Sequence, residues 1–310
     1  MSPLRKAVED YLAMRRALGF KLRLPAGMLR EFASFVERER ASHITTALAL
    51  RWATQPAGVQ PAQWTNRLGV VRRFAQFLSA TDPRTEVPPP RLLPYRYQRR
   101  PPYIYQNAEI ERLLHAAARI SSPTGLRAAS YSSLIGLLAV SGLRISEAIG
   151  LDDPDVELAE GVLRIRRTKF GKSRLVPLHP STTRALRRYM RTRDRIRPLR
   201  PSAAFFVGEQ GRRLTEWTVR WAFNKLSRAT GLRGPSDRRG PRLHDLRHAL
   251  AVKTLIGWYR RGVDVDARLP VLSTYLGHGH VTDTYWYLSA VPELLRLAAE
   301  RLERRGGLQS

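Results

Sequence analysis

Apolar residues recur with helical period through the first 82 positions. Val8, Leu12, Arg15 and Leu18 start one stripe, and Gly19 ends it. Met28, Phe32, Phe35 and Val36 form a second. Thr45 and Thr46 are placed to cap a short third helix that stops before Pro56. Leu68, Val71, Phe74, Phe77 and Leu78 form a fourth. Four short amphipathic helices predict a small bundle over 1–82.

Beyond residue 102 helices dominate again, with one interruption. Gly161–Arg166 and Arg174–Leu178 alternate between apolar and polar or basic residues, and Arg167–Ser173 joins them with Gly171 at the turn. That is the period and punctuation of a β-hairpin. Helices are expected over Ser181–Arg195, from the cap Thr215 to about Thr230, and over His244–Arg261. Ala267–Leu276, Thr282–Leu288 and Pro292–Arg304 complete the set. The predicted class is mainly α with a small β-hairpin or sheet.

Residues 83–102 hold seven of the 21 prolines, together with five arginines and one glutamate. Proline removes backbone donors and stiffens the chain, so this segment reads as a linker between domains at 1–82 and 103–310. An extended basic strap can follow a DNA backbone, with Arg91, Arg96, Arg99 and Arg100 as its contacts. A plain spacer fits the composition as well.

The charge narrows the partner. Lys+Arg is 54 against 26 Asp+Glu, a net +28, and only six of the 54 are lysines. Such an excess calls for a polyanion, and the planar guanidinium fork suits phosphate. The excess is +7 over 1–82, +4 over the linker and +17 over 103–310, so both domains carry it. There is no cysteine, which excludes disulfides, thiolate metal sites and cysteine nucleophiles. No apolar run approaches the roughly 18 residues of a membrane span. A cytoplasmic, nucleoid-associated protein is expected.

Three islands carry candidate chemistry. SGLRISEAIGL (141–151) puts Arg144 on an apolar helix running from Tyr131. A cation in such a run needs an anionic partner or ligand, and Glu147 at i+3 is the nearest. LHDLRHAL (243–250) places His244, Arg247 and His248 on one helix face. It superficially resembles the His-Glu-x-x-His zinc helix. An arginine on the same face is, however, electrostatically poor beside a dication. YLGHGHVTDTYWYL (275–288) offers His278, His280, Tyr285 and Tyr287. The two tyrosines lie about 200° apart on a helix, so only one can face a shared site.

SGLRISEAIGL, TKFGKSRLVPL, HDLRH and LGHGHVTDTYWY together resemble the tyrosine recombinase, or phage integrase, family in order and spacing. The run DTYWYLSAVPELL resembles integrase-type transposases of mobile elements more than chromosome-dimer-resolving Xer proteins. The resemblance implies an N-terminal helical core-binding domain followed by an α+β catalytic domain. It implies that Arg144 and Arg247 clamp the scissile phosphate and that Lys169 is the hairpin lysine. His244 and His278 are then the paired histidines, Glu147 stands behind the arginines, and Tyr287 is the nucleophile. Lys172 and Arg174 on the hairpin are further expected DNA contacts. Trp286, directly before the nucleophile, is bulkier than the family's usual aliphatic residue.

The implied reaction is metal- and ATP-independent strand transfer through a 3′-phosphotyrosine, with no cofactor. The expected partners are double-stranded recombination sites, a homo-tetramer on DNA and possible accessory recombination proteins. Pro292–Arg304 is amphipathic and is expected to pack either on a neighbouring protomer or on its own domain. A type IB topoisomerase-like enzyme and a non-catalytic DNA-binding regulator are the alternatives.

Overall fold

The computed structural model describes residues 2–95, 101–166, 173–237, 240–289 and 291–306. The chain divides into two compact units, 1–100 and 101–310.

The first unit contains α1 (Pro3–Ala17), α2 (Arg23–Arg38), α3 (Thr46–Thr54) and α4 (Pro61–Leu78). Ser2 and Thr45 cap α1 and α3 by accepting from the backbone N–H three residues on. Pro3 and Pro61 open α1 and α4, where a missing N–H costs nothing. Leu12, Leu29, Phe32, Trp52, Val71 and Phe74 are fully buried between the helices. Phe32 meets Trp52 edge-on at 5.2 Å, and Tyr11 meets Phe74 at 5.6 Å. Leu18, expected on the buried stripe, is 65% exposed just past the end of α1.

The proline-rich segment differs from a free strap as far as residue 95. Arg72 donates to the Pro88 carbonyl at 2.7 Å and the Pro89 carbonyl at 2.6 Å. The Glu86 carboxylate accepts from the Thr46 N–H at 2.7 Å, and Leu93 packs against the bundle core. Proline cannot donate, but its carbonyl still accepts, and this anchors the segment on α4. Arg91 lies in this docked stretch, at a positive φ of 65°. Arg96, Arg99 and Arg100 lie outside the described residues.

The second unit opens with α5 (Asn107–Ala118), α6 (Leu126–Ser141) and the short α7 (Ile145–Ile149). Three antiparallel strands follow in sequence order: β1 (Val156–Glu157), β2 (Val162–Ile165) and β3 (Arg174–Pro177). Leu163 pairs with Val176, and both side chains are buried, while Arg164 and Leu175 face outward. The hairpin is where the alternation puts it; β1 is too short to carry a period. Lys169 and Lys172 lie outside the described residues.

The rest is helical: α8 (Pro180–Ile196), α9 (Glu216–Ala229), α10 (Asp245–Arg260), α11 (Val265–Leu276), α12 (Thr282–Ser289) and α13 (Pro292–Gly306). No helix among the described residues is long and apolar enough to cross a membrane. Ala251, Val252 and Leu255 of α10 pack with Leu269, Leu272 and Leu276 of α11, with Tyr287 and with Leu294. The terminal α13 therefore lies on its own domain. Leu294 and Leu297 are buried, Glu293 pairs with Arg260, and Leu295 is exposed.

Candidate active site

The site begins with a break in a helix. Arg144 does not lie on the apolar helix from Tyr131. That helix, α6, ends at Ser141, and Arg144 is the residue before α7. Gly142 makes the break by adopting a left-handed φ of 61°, which a side chain resists. A Cβ there would lie 2.8 Å from Leu250 Cδ2. Gly277 ends α11 in the same way, at φ 69°.

These two ends hold the arginines. Arg247 is 2% exposed and donates to the Gly142 carbonyl and the Leu276 carbonyl, each at 2.7 Å. Arg144 donates to the Gly277 carbonyl at 2.9 Å, and Arg174 to the Tyr275 carbonyl at 2.9 Å. Three guanidiniums thus gather on Tyr275, Leu276 and Gly277, the carbonyls that close α11. The last carbonyls of a helix have no partners within it and carry its negative end, so cations belong there.

Glu147 supplies the counter-charge. Its carboxylate is 5% exposed and accepts from Arg144 Nη1 at 2.8 Å and the Arg144 backbone N–H at 3.0 Å. It also accepts from Arg174 Nη1 at 3.2 Å and Nη2 at 2.9 Å. Burial pushes its pKa up, but the bonds from Arg174 and Arg144 outweigh that and hold it below the usual carboxylate range. Arg174, read from the sequence as a DNA contact, is 11% exposed at its side chain and spends its guanidinium on Glu147 and Tyr275. Burial and the charge of Arg144 pull Arg247 down to about 10, so it remains a cation at neutral pH.

The other groups come from α10 and the stretch after α11. His244 precedes α10 and keeps an exposed edge. Surrounding protein, then the charges of Arg247 and Arg144, push its pKa down to about 4, against a weaker pull from Asp245. Its ring is therefore neutral at pH 7 and able to accept a proton. His278 is half-buried, with Nδ1 2.7 Å from the hydroxyl of the fully buried Thr284. Its ring stacks at 6.1 Å from that of Tyr287. Tyr287 is 2% exposed and Tyr285 47%, so Tyr287 is the tyrosine turned into the domain. The Tyr287 hydroxyl lies 3.1 Å from His248 Nδ1. His280 is exposed.

The structure thus draws Arg144, His244, Arg247, His278 and Tyr287 to one region of the second unit, with Glu147 and Arg174 behind the arginines. Gly142, Gly277 and Thr284 join them without a signal as site residues, and so does His248, which the sequence placed on the face of His244 and Arg247 but gave no role. The glycines were legible as helix ends in Ser-Gly-Leu-Arg and Leu-Gly-His. Nothing in the sequence marked Thr284. Among the described residues, no group of three or more His, Asp or Glu could hold a metal ion.

Residues 104–293 match the phage integrase family. The chain is 50% identical over 309 residues to the protein of Sinorhizobium fredii named "Putative integrase/recombinase y4rB", covering 98% of each. It is 32% identical over 242 residues to the tyrosine recombinase XerD of Ralstonia nicotianae, covering 77% of this chain and 73% of that one. In fold it resembles the Tn1549 transposon integrase, solved in complex with transposon right end DNA. The TM-score is 0.64 at 18% identity, over 96% of this chain and 98% of that one.

Proposed function

The chain belongs to the phage integrase family, and we propose that it cuts and rejoins double-stranded DNA through Tyr287 in the movement of a mobile element. The observation that carries this reading is the gathering of Arg144 and Arg247 on the end of α11 beside Tyr287. Two fixed guanidiniums offer preorganised donors for the charge that grows on the non-bridging oxygens of a phosphodiester under attack.

The phenolic oxygen of Tyr287 attacks phosphorus and the bond to the 5′-oxygen breaks. The products are a 3′-phosphotyrosine and a free 5′-hydroxyl. A phenol with a pKa of about 10 must shed its proton on the way. His244, held neutral by its surroundings, is the acceptor. His278 bonds a non-bridging oxygen, and Lys169 protonates the departing 5′-oxygen. A partner strand's 5′-hydroxyl then attacks the phosphotyrosine and restores both the diester and the phenol. The bond energy stays in the covalent linkage, so no nucleotide hydrolysis is needed. Four protomers on two sites complete an exchange. The similarity to a protein named putative integrase/recombinase supports the strand-exchange reading.

The test is covalent trapping. Wild type and Tyr287→Phe are incubated in EDTA with nicked suicide substrates made from the ends of the host element. A protein–DNA band on a denaturing gel that vanishes in the variant is the expected result. A band that persists in Tyr287→Phe moves the nucleophile elsewhere, with Tyr285 first in line.

A further inference from the structure

We infer that His248 is a positioning residue that holds the Tyr287 phenol in reserve inside the domain until DNA draws it out; this rests on the reading of Tyr287 as nucleophile. His248 follows Arg247 on α10 and lies one helical turn beyond His244. None of the roles derived above uses it, yet its Nδ1 lies 3.1 Å from the nucleophile's Oη.

Burial gives that contact its weight. Tyr287 is 2% and His248 6% exposed, and Tyr287 packs among Val252, Leu255, Leu276 and Leu294. The Trp286 ring closes over the pair, 5.3 Å from the His248 ring and 5.5 Å from the Tyr287 ring. A hydroxyl in such apolar surroundings loses its bonds to water and needs a replacement partner. His248 supplies one. An oxygen held in this bond and this packing is not free to attack, so attack on a bound phosphate requires the His248 bond to be given up. The His244 ring, 4.6 Å from that of His248, stands on the same helix face. Leaving His248, the phenol passes from one histidine to the next.

Two readouts test this separately from the proposed reaction. The first uses no DNA: the free protein is treated with tetranitromethane and nitration of Tyr287 is followed by peptide mass spectrometry. Exposed Tyr285 is the internal control. His248→Phe keeps a ring of similar size without the bond, and Tyr287 nitration should rise at least fivefold over wild type. His248→Asn can place its amide near the Nδ1 position and should nitrate as wild type does. The second readout is the initial rate of covalent trapping on the suicide substrate, which should rise about threefold in His248→Phe. Unchanged Tyr287 nitration in folded His248→Phe would overturn the inference. So would nitration in His248→Asn as high as in a fully accessible tyrosine. Raised nitration with slower trapping would also overturn it, because the bond would then serve the attack itself. Loss of the wild-type band alone, with the nitration pattern intact, strikes the proposed reaction and leaves the holding contact standing.

Discussion

Arg247 is a cation with almost no water around it, and two backbone carbonyls take water's place. Replacing it by Gln removes the charge and breaks the link between the Gly142 and Leu276 carbonyls. The loss of buried bonds costs about 1–3 kcal/mol of stability. Trapping should fall by about 10²–10³, the cost of one transition-state donor. Arg247→Lys should recover little, since an ammonium cannot reproduce a fork across two carbonyls. Urea unfolding reads the first effect and suicide-substrate rates the second; near wild-type trapping in either variant would remove Arg247 from the phosphate. His244 makes a prediction of the same electrostatic origin, burial beside other cations. Its folded pKa, about 4, lies below the roughly 6.5 of a free histidine. Above pH 6.5 both folded and unfolded chains hold it neutral and it costs nothing. As pH falls from 6.5 toward 4 the unfolded chain takes the proton first, so stability declines. The exposed edge of the ring lets water soften the effect. An imidazole NMR titration should place His244 well below the free-histidine midpoint, and trapping should hold from pH 8 to pH 5. A midpoint near 6.5 would remove the shift.

Between residues and domain stand helix ends, and here the sequence was only partly readable. Periodicity placed most of the described helices within a few residues, because amphipathic stripes are long and redundant, but it did not single out α5 or α7. It carried α6 through Arg144, because LIGLLAVSGLRISEAIGL is apolar on both sides of the break. One glycine in the left-handed region decides that break, and a glycine within an apolar run gives a weak signal. The candidate site was legible as residue types at family spacing. What held them was not, because main-chain carbonyls have no letter in a sequence. The same blindness hid the role of Arg174, which looks like any basic residue on a hairpin, and the docking of residues 83–95. Gly277 tests the argument. A Cβ at that position would lie 2.5 Å from Arg174 Nη1, on a backbone at φ 69°. Gly277→Ala should cost about 1–2 kcal/mol from the left-handed conformation. For a unit of this size that lowers the melting temperature by about 2–8 °C. Trapping should fall further than stability does, because the displaced Arg174 disturbs Glu147 and, through it, Arg144. A Gly277→Ala protein with normal melting and normal trapping would mean the α11 end does not set the arginines.

At the scale of the whole chain, the charge divides as +11 over 1–100 and +17 over 101–310. Many of the individual arginines are paired with carboxylates and add nothing to that net excess. Arg5, Arg30, Arg51 and Arg84 are paired with carboxylates in the first unit, and Arg193, Arg200 and Arg213 in the second. The net excess is what remains after such pairs, since each pair cancels, and it remains in both units. Each unit also has its own buried core, so each should fold when expressed alone. The affinity of a protein for duplex DNA falls with salt in proportion to the phosphates it neutralises, with a slope of about 0.9 per contact. Fragments 1–100 and 101–310 should therefore each bind duplex with a measurable salt slope, and the slope of the full chain should exceed either. Fluorescence anisotropy from 50 to 300 mM salt would measure all three. If 1–100 binds without salt dependence, its excess is a solvated surface and the DNA contacts belong to the second unit alone. If the slope of the full chain approaches the sum of the two, both units grip one duplex. The tight hold on DNA then comes from charge spread along the chain, leaving the few buried arginines to the single phosphate that reacts.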